Sequence, residues 1–167
     1  MSSSDRPREP RPGEWIPREQ FSEVVRLTPL VAIDLVVRSS RGQVLVGRRT
    51  NDPAKGVFFV PGSRITKNET RAAAFERITR EELGVTVPIE QARFLGVYEH
   101  LYSTNRFGLD GFGTHYITLA YELVLAIDLK DLPADQHGEY HWMTPEDLLA
   151  SPEVHENTKA YFRSRSW

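Results

Sequence analysis

Glu81 and Glu82 close the segment "FERITREELG", one helical turn beyond Ile78 and just ahead of Gly84. At roughly 100° per helical residue, positions 78 and 82 project about 40° apart, so carboxylates on that face would converge. Oxygens of this kind suit a hard divalent cation, Mg²⁺ or Mn²⁺, which can also bridge the oxygens of a diphosphate. The pattern has a gap, because Ile78 stands where a further carboxylate would be. Two glutamates near a helix end are by themselves ordinary solvated surface, and they oppose the helix dipole. Their meaning therefore depends on what surrounds them.

Asp34 is the second anomaly. It interrupts the apolar run "LVAIDLVV" (30–37), which reads as a buried strand, where an unpaired carboxylate is costly and requires compensation. Cysteine is absent from the chain, so thiol nucleophiles, disulfides and thiolate metal sites are excluded and any metal must use oxygen or imidazole. The formal net charge of −2 argues against wrapping a nucleic acid backbone and favours a small anionic ligand held in a local basic pocket.

The elements that must position these groups follow from patterning. With 167 residues, 40% apolar and 26% charged, the chain fits one domain, 15–167, behind a flexible tail, 1–14, of Ser, Pro, Arg and acidic residues. No run is apolar enough for a membrane span or a secretory signal, so a cytoplasmic protein is the expectation. "QFSEVVR" (20–26) has helical spacing, and "QVLVGRR" (43–49) pairs with the Asp34 strand as an antiparallel neighbour. A short third strand spans 57–60 and stops at Pro61-Gly62. A helix over about 69–83 opens on a Thr66–Glu69 capping box and ends at Gly84. Strands at 93–103 and 114–126 flank a loose glycine-rich loop, 105–113. A last short strand, "EYHWMT", precedes a helix started by Thr144-Pro145, and a final helix covers 157–165.

Residues 63–85 resemble the signature of the Nudix hydrolases: Glu69, Arg77, Glu81, Glu82, Gly84 and Val85 stand at its spacings, whereas Ser63, Ile78 and Thr79 depart from it. The segments "VVRLTPLVAIDLVV", "GRRTNDPAKGVFFVPGSR", "AAFERITREELG", "DQHGEYHW" and "ASPEVHENTKAYF" extend the likeness across 21–162 and are similar to the GDP-mannose mannosyl hydrolases, an atypical Nudix group that also lacks the first glutamate of the metal helix.

The resemblance implies an α/β fold, an α/β/α sandwich with a mixed β-sheet. It implies hydrolysis of GDP-mannose or GDP-glucose to GDP and sugar, water attacking the anomeric carbon with inversion. One Mg²⁺, or Mn²⁺, would be held by the Gly62 carbonyl, Glu82 and Gln136, with His137 as general base. Arg49, Arg64 and Tyr116 would contact the diphosphate. Arg48 would point to the other face of its strand. Asp34 and His100 would lie at the sugar end, the alternative for Asp34 being an internal pair with an arginine or backbone amides. Tyr98, Tyr102 and Phe107 are the aromatic candidates for stacking guanine. A homodimer is implied as well. Glu81 departs from the group and admits a second reading, cleavage at phosphorus by an ordinary Nudix pyrophosphohydrolase. A third is a nucleotide-sugar binding module without turnover.

Overall fold

The computed structural model describes residues 9–133 and 137–163, with His137 described in its backbone alone. In chain order the elements are α1 (Arg18–Leu27), β1 (Leu30–Arg38), β2 (Val44–Arg49), β3 (Phe58–Phe59), β4 (Gly62–Arg64), α2 (Arg71–Leu83), β5 (Arg93–Tyr102), β6 (Thr114–Val124), β7 (His137–Met143), α3 (Pro145–Ala150) and α4 (Glu156–Lys159). The strands form one mixed sheet in the order β3-β2-β1-β6-β5, with β4 beside β1 and β7 beside β2. β1 runs parallel to β6, and its pairs with β2 and β4 are antiparallel.

The side-chain alternation of a strand sorts β1 between two layers. Ile33, Leu35 and Val37 pack with Ala74, Phe75, Ile78 and Leu83 of α2, while Val36 joins Val44, Val46 and Leu148 of α3 on the opposite face. Helices thus cover both faces of the sheet, the expected α/β/α sandwich. Fully burying Phe75, Ile78 and Leu83 contributes roughly 2 kcal/mol each before entropy. Ile78 is 0% exposed, so the position that would carry a further carboxylate is an anchor of the core instead. Among the described residues no helix is long and apolar enough to cross a membrane.

Several local expectations are corrected. The Thr66–Glu69 interaction forms, with Thr66 N–H donating to Glu69 Oε2 at 2.9 Å, but it closes a turn outside the helix. Asn68 has φ 64°, which interrupts helical backbone, and α2 starts only after Thr70, whose side chain accepts from Ala73 N–H. Residues 62–64, read as a turn, form β4 and pair with 32–34. The loop after β5 is built around Asn105, which is 2% exposed, donates to the Leu109 and Phe112 carbonyls and accepts from the Phe107 and Leu109 amides. The final helix is Glu156–Lys159; tighter turns then carry Tyr161 and Phe162 back towards the sheet. Ahead of α2 the chain is also met by residues 9–13, as Gly13 N–H donates to Thr66 Oγ1 at 2.7 Å and Asn68 donates to Glu9 and Pro10, which leaves the division into tail and domain untouched.

Candidate active site

A cleft of about 660 Å³ opens where β4 diverts β1 from β2, and Asp34, Arg49, Gly62, Arg64, Glu81, Glu82, His100 and Tyr116 all line it. Two features of the backbone make room for it. Leu35 N–H donates to the Pro61 carbonyl and Ile65 N–H to the Val31 carbonyl, so Asp34 and Gly62 face each other in the non-hydrogen-bonded position of the ladder. The Gly62 carbonyl is thereby turned away from β1 and left to other partners. The second feature is the absence of a Cβ at Gly62, since one would collide with the Asp34 carboxylate and lie 2.6 Å from the Ile33 carbonyl.

The acidic side of the cleft is the C-terminal turn of α2. Glu82 is 2% exposed, and its carboxyl is pushed up to about 8, first by burial and then by the neighbouring charge of Glu81. Among the described residues no three His, Cys, Asp or Glu side chains converge as a metal cage. Glu82, Glu81 and Gly62 line the cleft together, so hard oxygen donors of the type a hydrated divalent cation takes, with phosphate and water as further ligands, are present there, although Glu81 also accepts from Arg77. Gln136 lies outside the described residues. Ile78, in the core, supplies nothing to such a site.

Arg77 ties this helix to β4. It donates to Glu69 at 2.6 Å, to Glu81 at 2.8 Å and to the Arg64 carbonyl at 2.9 Å, with Arg77 and Glu69 8% and 3% exposed. Burial alone would raise the Glu69 carboxyl, but hydrogen bonds from Arg77 and Thr66 hold it below its usual value of 4.5. Its contribution is therefore complete above that value and lost as pH falls through the lowered one. Glu69→Gln is expected to cost about 3 kcal/mol in urea denaturation near neutral pH by leaving Arg77 undercompensated. The same variant should flatten the acid limb of the stability profile; an unchanged midpoint would remove the pair as a structural tie.

The basic wall comes from three elements. Arg49 and Arg48 leave β2 on opposite sides, as alternation requires: Arg48 pairs with Glu139 and Glu153 and lies over Phe58, whereas Arg49 enters the cleft near Phe59. Arg64 is sandwiched between Trp15 and Phe21, with ring centroids 4.4 Å and 3.8 Å from its guanidinium carbon. Burial pushes it down to about 10 while it remains a cation, and its Nε has no hydrogen-bond partner among the described residues. Tyr116 lies in the same wall, its phenol raised by burial against the pull of Arg49, Arg106 and Arg64.

At the far end Asp34 is pushed up to about 6 by burial, opposed by a hydrogen bond from Tyr161 and by the charge of Arg49. His100 is 4% exposed, and burial, then the charge of His155, lowers it to about 4. The backbone of His137 pairs with Arg49 across β2 and β7, at the rim of this wall; its side chain is not described. Tyr102 lines the cleft, but Phe107 is spent on an edge contact with Phe21 at 5.5 Å and Tyr98 on one with Tyr161 at 4.6 Å. His115 points away, 3.2 Å from Glu99. Sequence reasoning missed Trp15, Arg106 and Tyr161. An isolated tryptophan beside a polar tail, "GEWIPR", was the one visible signal among them.

The NUDIX domain family model matches residues 28–164. Over 136 residues the chain is 40% identical to the low-salt glycan biosynthesis protein of Haloferax volcanii, covering 81% of this chain and 83% of that protein. The crystal structures of a MutT protein from Methanosarcina mazei and a MutT NUDIX hydrolase from Burkholderia pseudomallei share the fold, each at TM-score 0.64, with 20% and 22% identity over 81% of this chain and 92% and 96% of theirs. With the helix, the glycine turn and the buried Arg77–Glu69 pair all present, and the match running through 28–164, this chain belongs to the NUDIX domain family.

Proposed function

We propose that the protein hydrolyses a GDP-hexose, GDP-mannose or GDP-glucose, to GDP and free sugar by attack of water at the anomeric carbon. The observation that carries this reading is the burial of Ile78 in the core beside a cleft that keeps one deeply buried helix carboxylate, Glu82. A reduced acidic set is enough to help a diphosphate leave, whereas activating water at phosphorus draws on more metal ligands. The relative from Haloferax volcanii carries a name in glycan biosynthesis, in keeping with a nucleotide-sugar substrate.

Arg49, Arg64 and Tyr116 would grip the diphosphate; the guanidinium of Arg64 is already stripped of part of its water by its two aromatic neighbours, so it loses little on binding an anion. Asp34 would accept from a sugar hydroxyl. Water forms a bond to C1 with its proton passing to His137, the C1–O bond to phosphate breaks, and GDP departs with the electron pair opposite the point of attack. A Mg²⁺, or Mn²⁺, held by Glu82, Gln136 and the Gly62 carbonyl would neutralise charge on the departing diphosphate. A homodimer in the cytoplasm accompanies this reading as part of the family resemblance.

Cleavage at phosphorus is the second reading, favoured by Glu81, which also lines the cleft with a side chain 37% exposed. Hydrolysis of GDP-mannose with Mg²⁺ in ¹⁸O-water separates the two. The expected products are GDP without label and mannose with label. GMP and mannose 1-phosphate, with label on phosphorus, would replace the proposal with the second reading, and absence of turnover on GDP-sugars would leave another nucleotide-sugar substrate or a binding module, separated by testing further nucleotide sugars.

A further inference from the structure

Tyr161 enters the site from behind. Its hydroxyl donates to Asp34 Oδ2 at 2.5 Å, the length of a short O–H···O⁻ bond. His100 Nε2 lies 3.3 Å from the same hydroxyl, and His100 Nδ1 lies 3.3 Å from Thr118 Oγ1. These contacts have one consistent direction when His100 is neutral: Thr118 donates to Nδ1, Nε2–H to the Tyr161 oxygen, and Tyr161 to the carboxylate. Burial beside Asp34 keeps the Tyr161 phenol protonated and hence a donor.

The other carboxylate oxygen, Oδ1, sits over Gly62, in the space a Cβ there would fill. One oxygen of Asp34 is thus pinned by the protein, and the other lies over Gly62, which lines the same cleft as Asp34. The segment bearing Tyr161 is itself fastened to the site, for Thr158 Oγ1 accepts from Val60 N–H at 3.3 Å and Asn157 donates to the Tyr102 hydroxyl at 3.1 Å.

We propose that Tyr161 is a positioning residue for hexose hydrolysis, fixing the Asp34 carboxylate so that Oδ1, above Gly62, meets the sugar. The proposal rests on the GDP-hexose reading. It also assigns His100 a supporting part, since both of its ring nitrogens face protein groups.

Tyr161→Phe removes the hydroxyl and leaves the ring contact with Tyr98, so the variant should fold. Its kcat for GDP-mannose is expected to fall about ten- to a hundredfold with KM within about threefold, while inhibition by GDP, which has no hexose, stays unchanged. Combined with Asp34→Asn, it should cost no more than Asp34→Asn alone, because both changes remove the same oriented oxygen. A near-normal kcat, multiplying losses in the double variant, or a parallel loss of GDP inhibition would each overturn the positioning role. Wild-type release of labelled mannose with an unaffected Tyr161→Phe would sink this inference alone. Wild-type cleavage at phosphorus, or no turnover of either GDP-mannose or GDP-glucose, would sink the functional reading and this inference with it.

Discussion

Replacing Glu82 by Gln is expected to lower turnover about a hundredfold and to raise the Mg²⁺ requirement about tenfold or more, while making the metal-free protein more stable in alkali. Both effects come from one buried carboxyl, 2% exposed and pushed up to about 8 by burial and then by Glu81. Because the folded value lies above the usual 4.5, the folded state prefers the protonated acid. Stability of the metal-free chain is then greatest below that usual value and declines as pH rises through about 8. Glutamine stays neutral and removes the slope. Melting in EDTA at about pH 9 should place Glu82→Gln above wild type by on the order of 2 kcal/mol, with the two converging near pH 5. A variant that melts lower in alkali would mean that a protein cation such as Arg49 already compensates Glu82, leaving no need for a bound ion.

Gly62→Ala is the second change with a large expected effect: about a hundredfold loss of kcat, with a stability loss of only about 1–3 kcal/mol. The added Cβ would meet the Ile33 carbonyl at 2.6 Å and the Asp34 carboxylate at the same time. Rotating Asp34 off its hydrogen bond with Tyr161 would relieve only the carboxylate, so the clash with the Ile33 carbonyl must also shift β4, moving the Gly62 carbonyl and Arg64. Both movements displace groups assigned to the diphosphate or the sugar, so turnover should fall further than urea denaturation predicts. Full activity in this variant would show that neither position matters to the reaction.

What the sequence disclosed, and what it withheld, follows from the range of the forces involved. The Asp34 strand and the body of α2 were legible because their signals are local: a β-branched run, a 3.6-residue apolar period, and a glycine at the C-terminus with φ 73°. Strand alternation likewise separated Arg49 from Arg48. β4 was not legible, since three residues at a Pro-Gly turn carry no period of their own and become a strand only by pairing with β1. The Thr66–Glu69 pattern was read as a helix cap because its spacing is right, and the left-handed Asn68 that breaks the helix leaves little trace in residue type. Tyr161 looks like any packing aromatic in the chain, and Trp15 signals only its isolation beside a polar tail, not the group it covers. Only tertiary structure puts one behind Asp34 and the other over Arg64.

The pairing of Tyr161 with Asp34 spans 127 positions, and the parallel contact of β1 with β6 joins segments more than 80 apart, as in the Arg38–Glu122 ion pair. Contacts of such separation form slowly, because the chain must close long loops before they repay the entropy. During synthesis the acidic helix and its glycine turn emerge as neighbours, whereas Asp34 lacks its hydroxyl donor until residue 161 has been added. A nascent chain can therefore assemble the elements assigned to a diphosphate before it can orient the carboxylate assigned to the sugar, and on that assignment hydrolytic competence would arrive as one of the last events of folding.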